Sequence, residues 1–278
     1  MTTITSRQHA LVARFRAAAR RDDEDVLLLD GVHLVADAVA AGVPIEQVAM
    51  TAGARDDPGL RPLADRLVRA GAALAIVSAP VMDAISPVRS SSAIAALGRR
   101  PTVAGDAIYS GNETLVVVAV DVQDPGNTGA IVRVSEAGGA TGVIASGGTA
   151  DPFGWKALRG SMGSALRLPV VHRPSPAEAM AEVRRNGCRV IATVPRGGRS
   201  LYEIDLTGSI AALIGGEGQG LAAAMVDDAD ERVSIPMAPP VESLNAAVTA
   251  GLIVYEARRQ RGDHGFSRTH EGDRRTRS

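Results

Sequence analysis

The sequence predicts an α/β protein built from two units, and three observations predict it. Short apolar runs rich in β-branched residues alternate with amphipathic stretches of helical period along most of the chain. The chain has 278 residues, 45% hydrophobic and 22% charged, which suits one large core or two ordinary ones. One stretch rich in glycine and turn formers, "GRRPTVAGDAIYSGNE" (98–113), interrupts the alternation and reads as a linker. The expected domains are residues 1–104 and 105–261. The remainder, 262–278, is basic, almost devoid of apolar residues, and expected to be disordered.

In the first unit, "LVARFRAAARR" (11–21) reads as a basic helix ended by the acidic run Asp22–Asp25. "VLLLDG" (26–31) reads as a short buried strand and "VHLVADAVAAG" (32–42) as a helix closed by Gly42. "IEQVAMT" (45–51), "LRPLADRLVRAG" (60–71) and "ALAIVS" (73–78) continue as strand, helix and strand, followed by the short helix "APVMDAIS". The second unit opens on "TLVVVAVD" (114–121), whose β-branched run fits a parallel strand buried on both faces. Further strands are expected at 141–146, 168–171, 189–194, 210–216 and 232–237. Helices fit between them at 127–138, 156–164, 176–187 and 219–226, with "SLNAAVTAGLIVYEARRQR" (243–261) as the closing helix. Strands alternating with helices imply a mostly parallel sheet covered on both faces.

Composition removes several classes of function. The single cysteine, Cys188, excludes an intramolecular disulfide framework and a multi-thiolate zinc site, and the five histidines form no plausible ligand set. No metal is expected. No run approaches 18 apolar residues and the first 26 residues contain no signal-type apolar segment, so a cytoplasmic protein without a membrane partner is expected. The net charge of -1 hides an uneven distribution: +1 over residues 1–104, -6 over 105–256 and +4 over 257–278.

In open parallel sheets ligands bind where strands end and loops lead into helices, and three such loops stand out. "DVQDPGNTGAIVR" follows the strand ending at Asp121; Asn127 is placed to cap the next helix, with Arg133 under two turns further on. A capped helix with a surface arginine would explain this segment as well. "LIGGEGQGL" (213–221) puts four glycines around Glu217 and Gln219. Its spacing is not that of a dinucleotide-binding turn, and close approach of a backbone or ligand explains it better. "IPMAPPVESLNAAVTAG" (235–251) places Ser243 and Asn245 at the start of the closing helix, where capping would account for one of them.

Together these motifs are specific. "NTGAIVR" (127–133), "LIGGEGQG" (213–220) and "IPMAPPVESLNAAVTAG" (235–251), with "WKALRGSMGSALRLPV" (155–170) between them, resemble the SpoU (TrmH-type) family of RNA 2′-O-ribose methyltransferases in order and spacing. "LLLDGVHLVADAVAAGVPIEQV" resembles the RNA substrate-binding domain of family members, with Asp30-Gly31 where these usually read Glu-Gly. "VRSSSAIAAL" (88–97) departs from their usual Pro-Gln-Gly.

The resemblance implies a sheet whose C-terminal part is threaded into a trefoil knot. It implies S-adenosyl-L-methionine as cofactor, held among Thr193, Gly215, Ile235, Met237 and Leu244. It implies that Arg133 activates the 2′-hydroxyl while Asn127, Glu217, Ser243 and Asn245 organise the site. RNA contacts are expected from Arg14, Arg16, Arg20, Arg21, Lys156, Arg159 and the tail, and a homodimer is expected to bury the closing helix around Tyr255. Large-subunit rRNA is the favoured substrate. A tRNA substrate, a non-catalytic RNA-binding protein of the same fold and, more remotely, a nucleotide-dependent oxidoreductase stay open.

Overall fold

The computed structural model describes residues 3–262 apart from Arg89 and Asn112, so the tail expected at 262–278 lies, but for Gly262, outside the described residues. The first unit runs α1 (Ala10–Arg20), β1 (Val26–Asp30), α2 (Val32–Ala40), β2 (Ile45–Thr51), α3 (Ala52–Asp56), α4 (Arg61–Arg69), β3 (Ala73–Val77), α5 (Ala79–Ile85) and β4 (Ile94–Arg99). Its sheet has the order β1-β4-β2-β3, with β4 antiparallel to both neighbours and β2 parallel to β3.

β4 is the central strand that sequence patterning missed, along with the short elements α3 and β9. Ile94–Ala95–Ala96–Leu97 is rich in alanine, a weak strand former, and abuts the segment read as a linker. Burial of five of its six residues between β1 and β2, rather than local propensity, makes it a central strand.

The second unit contains β5 (Leu115–Val120), α6 (Pro125–Ala137), β6 (Gly142–Ser146), α7 (Trp155–Ser161), β7 (Val170–Arg173), α8 (Pro176–Arg185), β8 (Arg189–Thr193), β9 (Arg199–Ser200), β10 (Ile210–Gly215), α9 (Ala223–Asp228), β11 (Glu231–Ser234) and α10 (Ala246–Gln260). Every pairing in its seven-stranded sheet, ordered β7-β6-β5-β10-β8-β11-β9, is parallel. The central strands β5 and β10 are apolar throughout because helices cover both faces.

Of the element boundaries that differ from expectation, three adjoin the candidate ligand loops. Asp124, not Asn127, caps α6: its Oδ1 accepts the backbone N–H of Asn127 at 2.8 Å, leaving the Asn127 side chain for other contacts. The expected helix at 219–226 starts at Ala223 because Gly216 and Gly220 first pair as an antiparallel bridge. The closing helix starts at Ala246, since Ser243 and Leu244 belong to the loop before it.

The segment read as a linker is packed down. Ile108, in the short 3₁₀ turn Ala107–Tyr109, is fully buried, and a Cβ on Gly142 would lie 2.4 Å from its side chain. The Tyr109 hydroxyl donates to Glu182 at 3.1 Å. Hydrogen bonding from the Arg173 guanidinium holds the Glu182 carboxyl below its ordinary range.

The two units share an interface. α7 packs on β1, and one apolar cluster runs from Leu27 and Leu29 to Leu158 and Ala165. Around it Asp151 ion-pairs with Arg21 and, at 3.6 Å, with Arg100, whose guanidinium lies 4.4 Å from the Phe153 ring centroid. Arg167 joins Glu136 of α6 at 2.8 Å to Asp37 of α2 at 3.6 Å.

Candidate active site

A cavity of about 460 Å³ opens at the carboxyl ends of β8, β10 and β11, where a parallel sheet is expected to bind ligands. Its volume falls within the range of small-molecule sites, about 300–1,000 Å³. Thr193, Gly215, Ile235, Met237 and Leu244 all line it, together with Glu217, Ser243 and Asn245. Asn127 and Arg133 do not. Lining residues that sequence reasoning did not single out as ligand contacts include Gln219, Val226 and Thr249. Thr249 carried a readable signal, since it lies one helical turn beyond Asn245 and shares its side of α10.

Glycine backbone shapes the cavity wall. A Cβ on Gly215 would stand 2.5 Å from the carbonyl carbon of Gly220, and one on Gly216 would stand 2.0 Å from the carbonyl oxygen of Asp121. The loop 216–220 therefore folds back onto its own strand end and against the end of β5, a path closed to any residue with a side chain at these two positions. On the opposite wall the Thr193 hydroxyl donates to the Leu213 carbonyl at 2.8 Å and ties β8 to β10.

A chain of side-chain amides borders the cavity, and its polarity is determined at one end. Asn245 caps α10, its Oδ1 accepting from the N–H groups of Ala247 at 2.9 Å and Val248 at 3.3 Å. Its Nδ2 must then point away, and it donates to Asn127 Oδ1 at 2.9 Å and to Glu217 Oε1 at 3.4 Å. With its oxygen engaged, Asn127 donates its own Nδ2 to Glu217 Oε1. Three separate motifs thus converge on one carboxylate, whose Oε2 has no hydrogen-bond partner among the described residues. Ser243 lines the cavity beside this cluster, its hydroxyl likewise without a described partner.

Among the residues lining the cavity, Glu217 bears the only formal charge. The rest are apolar side chains, amide or hydroxyl groups and exposed glycine backbone. Such a lining suits a neutral heterocycle joined to a cationic group. It suits a pyrophosphate poorly, because phosphate recognition calls for cations or converging N–H donors.

The expected RNA-contact residues, taken with Arg133, which is expected to activate the 2′-hydroxyl, fall into two groups. Arg14 pairs with Glu46 at 3.4 Å, Arg20 with Asp22 at 2.6 Å and Arg21 with Asp151, while Arg16 donates to the Ala84 carbonyl at 3.0 Å. Arg133, Lys156 and Arg159 are exposed and have no anionic partner among the described residues. These three cations flank the crossing of α6 and α7, where Gly129 lets the helices approach: a Cβ there would be 2.3 Å from the Ala157 carbonyl oxygen.

Comparison with known proteins agrees with this geometry. Residues 114–255 match the SpoU rRNA methylase family. The chain belongs to that family. The first unit of this SpoU protein, residues 11–96, matches the MRM3-like substrate binding domain. An uncharacterized tRNA/rRNA methyltransferase of Synechocystis sp. is 34% identical to the chain, covering 94% of each. The 23S rRNA (guanosine(2553)-2′-O)-methyltransferase of Bacillus subtilis is 30% identical, with 86% of this chain and 90% of that protein covered. Among solved structures, the AdoMet-bound rRNA methyltransferase from Sinorhizobium meliloti superposes with a TM-score of 0.83 at 27% identity, covering 93% of this chain and 97% of the other. Among the described residues no cluster of His, Cys, Asp or Glu is placed to hold a metal, and no helix is long and apolar enough to cross a membrane.

Proposed function

We propose that the chain transfers a methyl group from S-adenosyl-L-methionine to a ribose 2′-hydroxyl of large-subunit (23S) rRNA. The observation that carries this reading is the cavity at the strand ends, with the Asn245–Asn127–Glu217 chain on its border. Thr193, Gly215, Ile235, Met237 and Leu244 would hold the cofactor, the glycine backbone and apolar side chains taking its neutral purine and Glu217 facing its positive charge. Bound there, the cofactor supplies an electrophilic sulfonium methyl. The protein then has to align the acceptor hydroxyl and favour its alkoxide.

Arg133 takes the second task in this reading. A guanidinium stays charged at any physiological pH, so it does not act as a base. It binds the phosphate beside the target ribose and stabilises negative charge developing on the 2′-oxygen. Asn127, Glu217, Ser243 and Asn245 orient the reactants by hydrogen bonding. Lys156 and Arg159 extend the cationic surface along the RNA backbone, and phosphate neutralisation of this kind dominates RNA affinity.

We further propose that the protein acts in the cytoplasm as a homodimer. Val248, Leu252 and Tyr255 form an exposed apolar stripe along α10, a face that a second copy would cover. The backbone crossings at Gly215 and Gly216 also support a knotted path for the C-terminal segment.

The test is methyl transfer from labelled S-adenosylmethionine to unmodified large-subunit rRNA and to tRNA, followed by digestion to nucleosides. Label in a 2′-O-methylnucleoside of the rRNA is expected; label confined to tRNA would reassign the substrate. Arg133→Ala should lower kcat/KM by about 100-fold or more, the scale of a lost charge-stabilising contact. Cofactor affinity, read by calorimetry, should stay as in the parent protein. A chain that binds no cofactor and labels no RNA would end this reading.

A further inference from the structure

Two loops that line the cavity each carry a charged residue just outside the lining. Val194 and Pro195 belong to the lining and Arg196 follows them; Ser243 to Asn245 belong to it and Glu242 precedes them. Arg196 and Glu242 meet across the mouth at 3.8 Å, with side chains 75% and 83% exposed. An ion pair that long and that solvated contributes little to stability. The backbone beyond Arg196 is anchored, because the Gly198 N–H donates to Ser234 Oγ at 2.9 Å and a Cβ on Gly198 would stand 2.7 Å from Val233 backbone. The Arg196 backbone is thus next to an anchored stretch of loop, and its guanidinium is engaged only by a weak, displaceable partner.

Its surroundings make a free cation there consequential. The stretch 105–256 carries a net charge of -6, and most of its arginines are bound to nearby carboxylates: Arg167 to Glu136, Arg173 to Glu182, Arg184 to Asp228 and Arg232 to Asp227. An RNA strand that brings a ribose to the cavity also brings its flanking phosphates to the rim. A phosphate offers a guanidinium two charge-assisted hydrogen bonds, more than a carboxylate at 3.8 Å supplies. We propose that Arg196 binds a phosphate flanking the target nucleotide, and that Glu242 is the stand-in which RNA displaces. Arg196 is a positioning residue for the substrate, additional to the cations around α6 and α7. The inference rests on RNA being the substrate and not on the chemistry of the transfer.

The alternative role, a clasp holding the two walls together, makes an opposite forecast for Glu242, so paired variants of the full chain separate the two. Binding of an unmodified large-subunit rRNA fragment is measured across a salt series by filter retention, and cofactor binding by calorimetry. For Arg196→Ala, RNA affinity should fall about five- to tenfold and the slope of log affinity against log salt should shrink by about one. Arg196→Lys should recover part of that loss. Glu242→Gln should bind RNA two- to fivefold more tightly, and neither change should alter cofactor affinity. In turnover, Arg196→Ala should raise the KM for RNA with kcat little changed. If both variants weaken cofactor binding alike, or if Arg196→Ala leaves affinity and salt slope unchanged, the proposal is overturned. Retention of RNA without methyl transfer would strike the proposed reaction and leave the Arg196 result readable; failure of the parent protein to bind RNA would overturn both.

Discussion

At Gly216 one added methyl group would sit 2.0 Å from the carbonyl oxygen of Asp121, well inside van der Waals contact. Neither partner is a side chain that could turn aside, so relief requires moving the loop or the end of β5. Gly216→Ala should therefore cost about 3 kcal/mol of stability, at the upper end of overpacking penalties. Cofactor affinity should fall with it, read by chemical denaturation and calorimetry on one preparation. Asn245 shows a second kind of residue-scale dependence. Sequence spacing leaves the capping role between Ser243 and Asn245, and the structure gives it to Asn245 while handing its amide hydrogens to Asn127 and Glu217. The start of a capped helix is legible because the motif is local, although which residue caps it is not: Asp124 takes the place expected of Asn127. The convergence of positions 127, 217 and 245 is not local, and only the resemblance to a known family anticipated it.

Two elements carry consequences of their own. The 3₁₀ turn Ala107–Tyr109 fastens onto α8 through Tyr109, Glu182 and Arg173. The Glu182 carboxyl is depressed by hydrogen bonding from Arg173, so its contribution to stability is complete above the ordinary glutamate range and disappears as pH falls through the depressed value. The Tyr109 hydroxyl is pushed up, first by burial and then by Glu182, so its contribution is complete below the ordinary tyrosine range and is lost at higher pH. Glu182→Gln should flatten the acid limb of the stability–pH profile measured by urea denaturation from pH 3 to 7, a window spanning the ordinary glutamate value of about 4.3. On α10, Leu252 sits at the middle of the exposed apolar stripe. Leu252→Arg should convert a dimer to monomer in analytical ultracentrifugation while leaving the fold intact by circular dichroism, since the side chain lies outside the core of its own chain.

At the scale of the whole molecule, the two units behave as one because α7 and β1 are packed together and Asp151 receives Arg21 and Arg100. This fixes how the first unit stands relative to the cavity, a relation that matters only for a substrate large enough to touch both. Asp151→Ala should raise the KM for RNA severalfold, leave cofactor affinity unchanged, and increase hydrogen exchange along β1 and α7. An equal loss of cofactor binding would show that Asp151 supports the cavity instead. Arg21 illustrates how this scale revises the sequence reading: a basic residue at a helix end invites an RNA role, and the structure places it in the interface between units.

Most elements and their order are readable from periodicity, because alternating apolar runs and amphipathic stretches report which faces are buried. The five residues that motif resemblance assigns to a cofactor line one cavity because parallel strands bring their carboxyl ends, and the loops that follow, to one edge. Tertiary structure alone decided the rest. It made a strand of the alanine-rich segment 94–99 by burying it between two others, and it packed the apparent linker onto β6 through Ile108. It also sorted the arginines into those already bound to carboxylates and those open to a phosphate. The physical reason is common to all three: each outcome depends on neighbours distant in sequence, whose burial and charge no local pattern encodes.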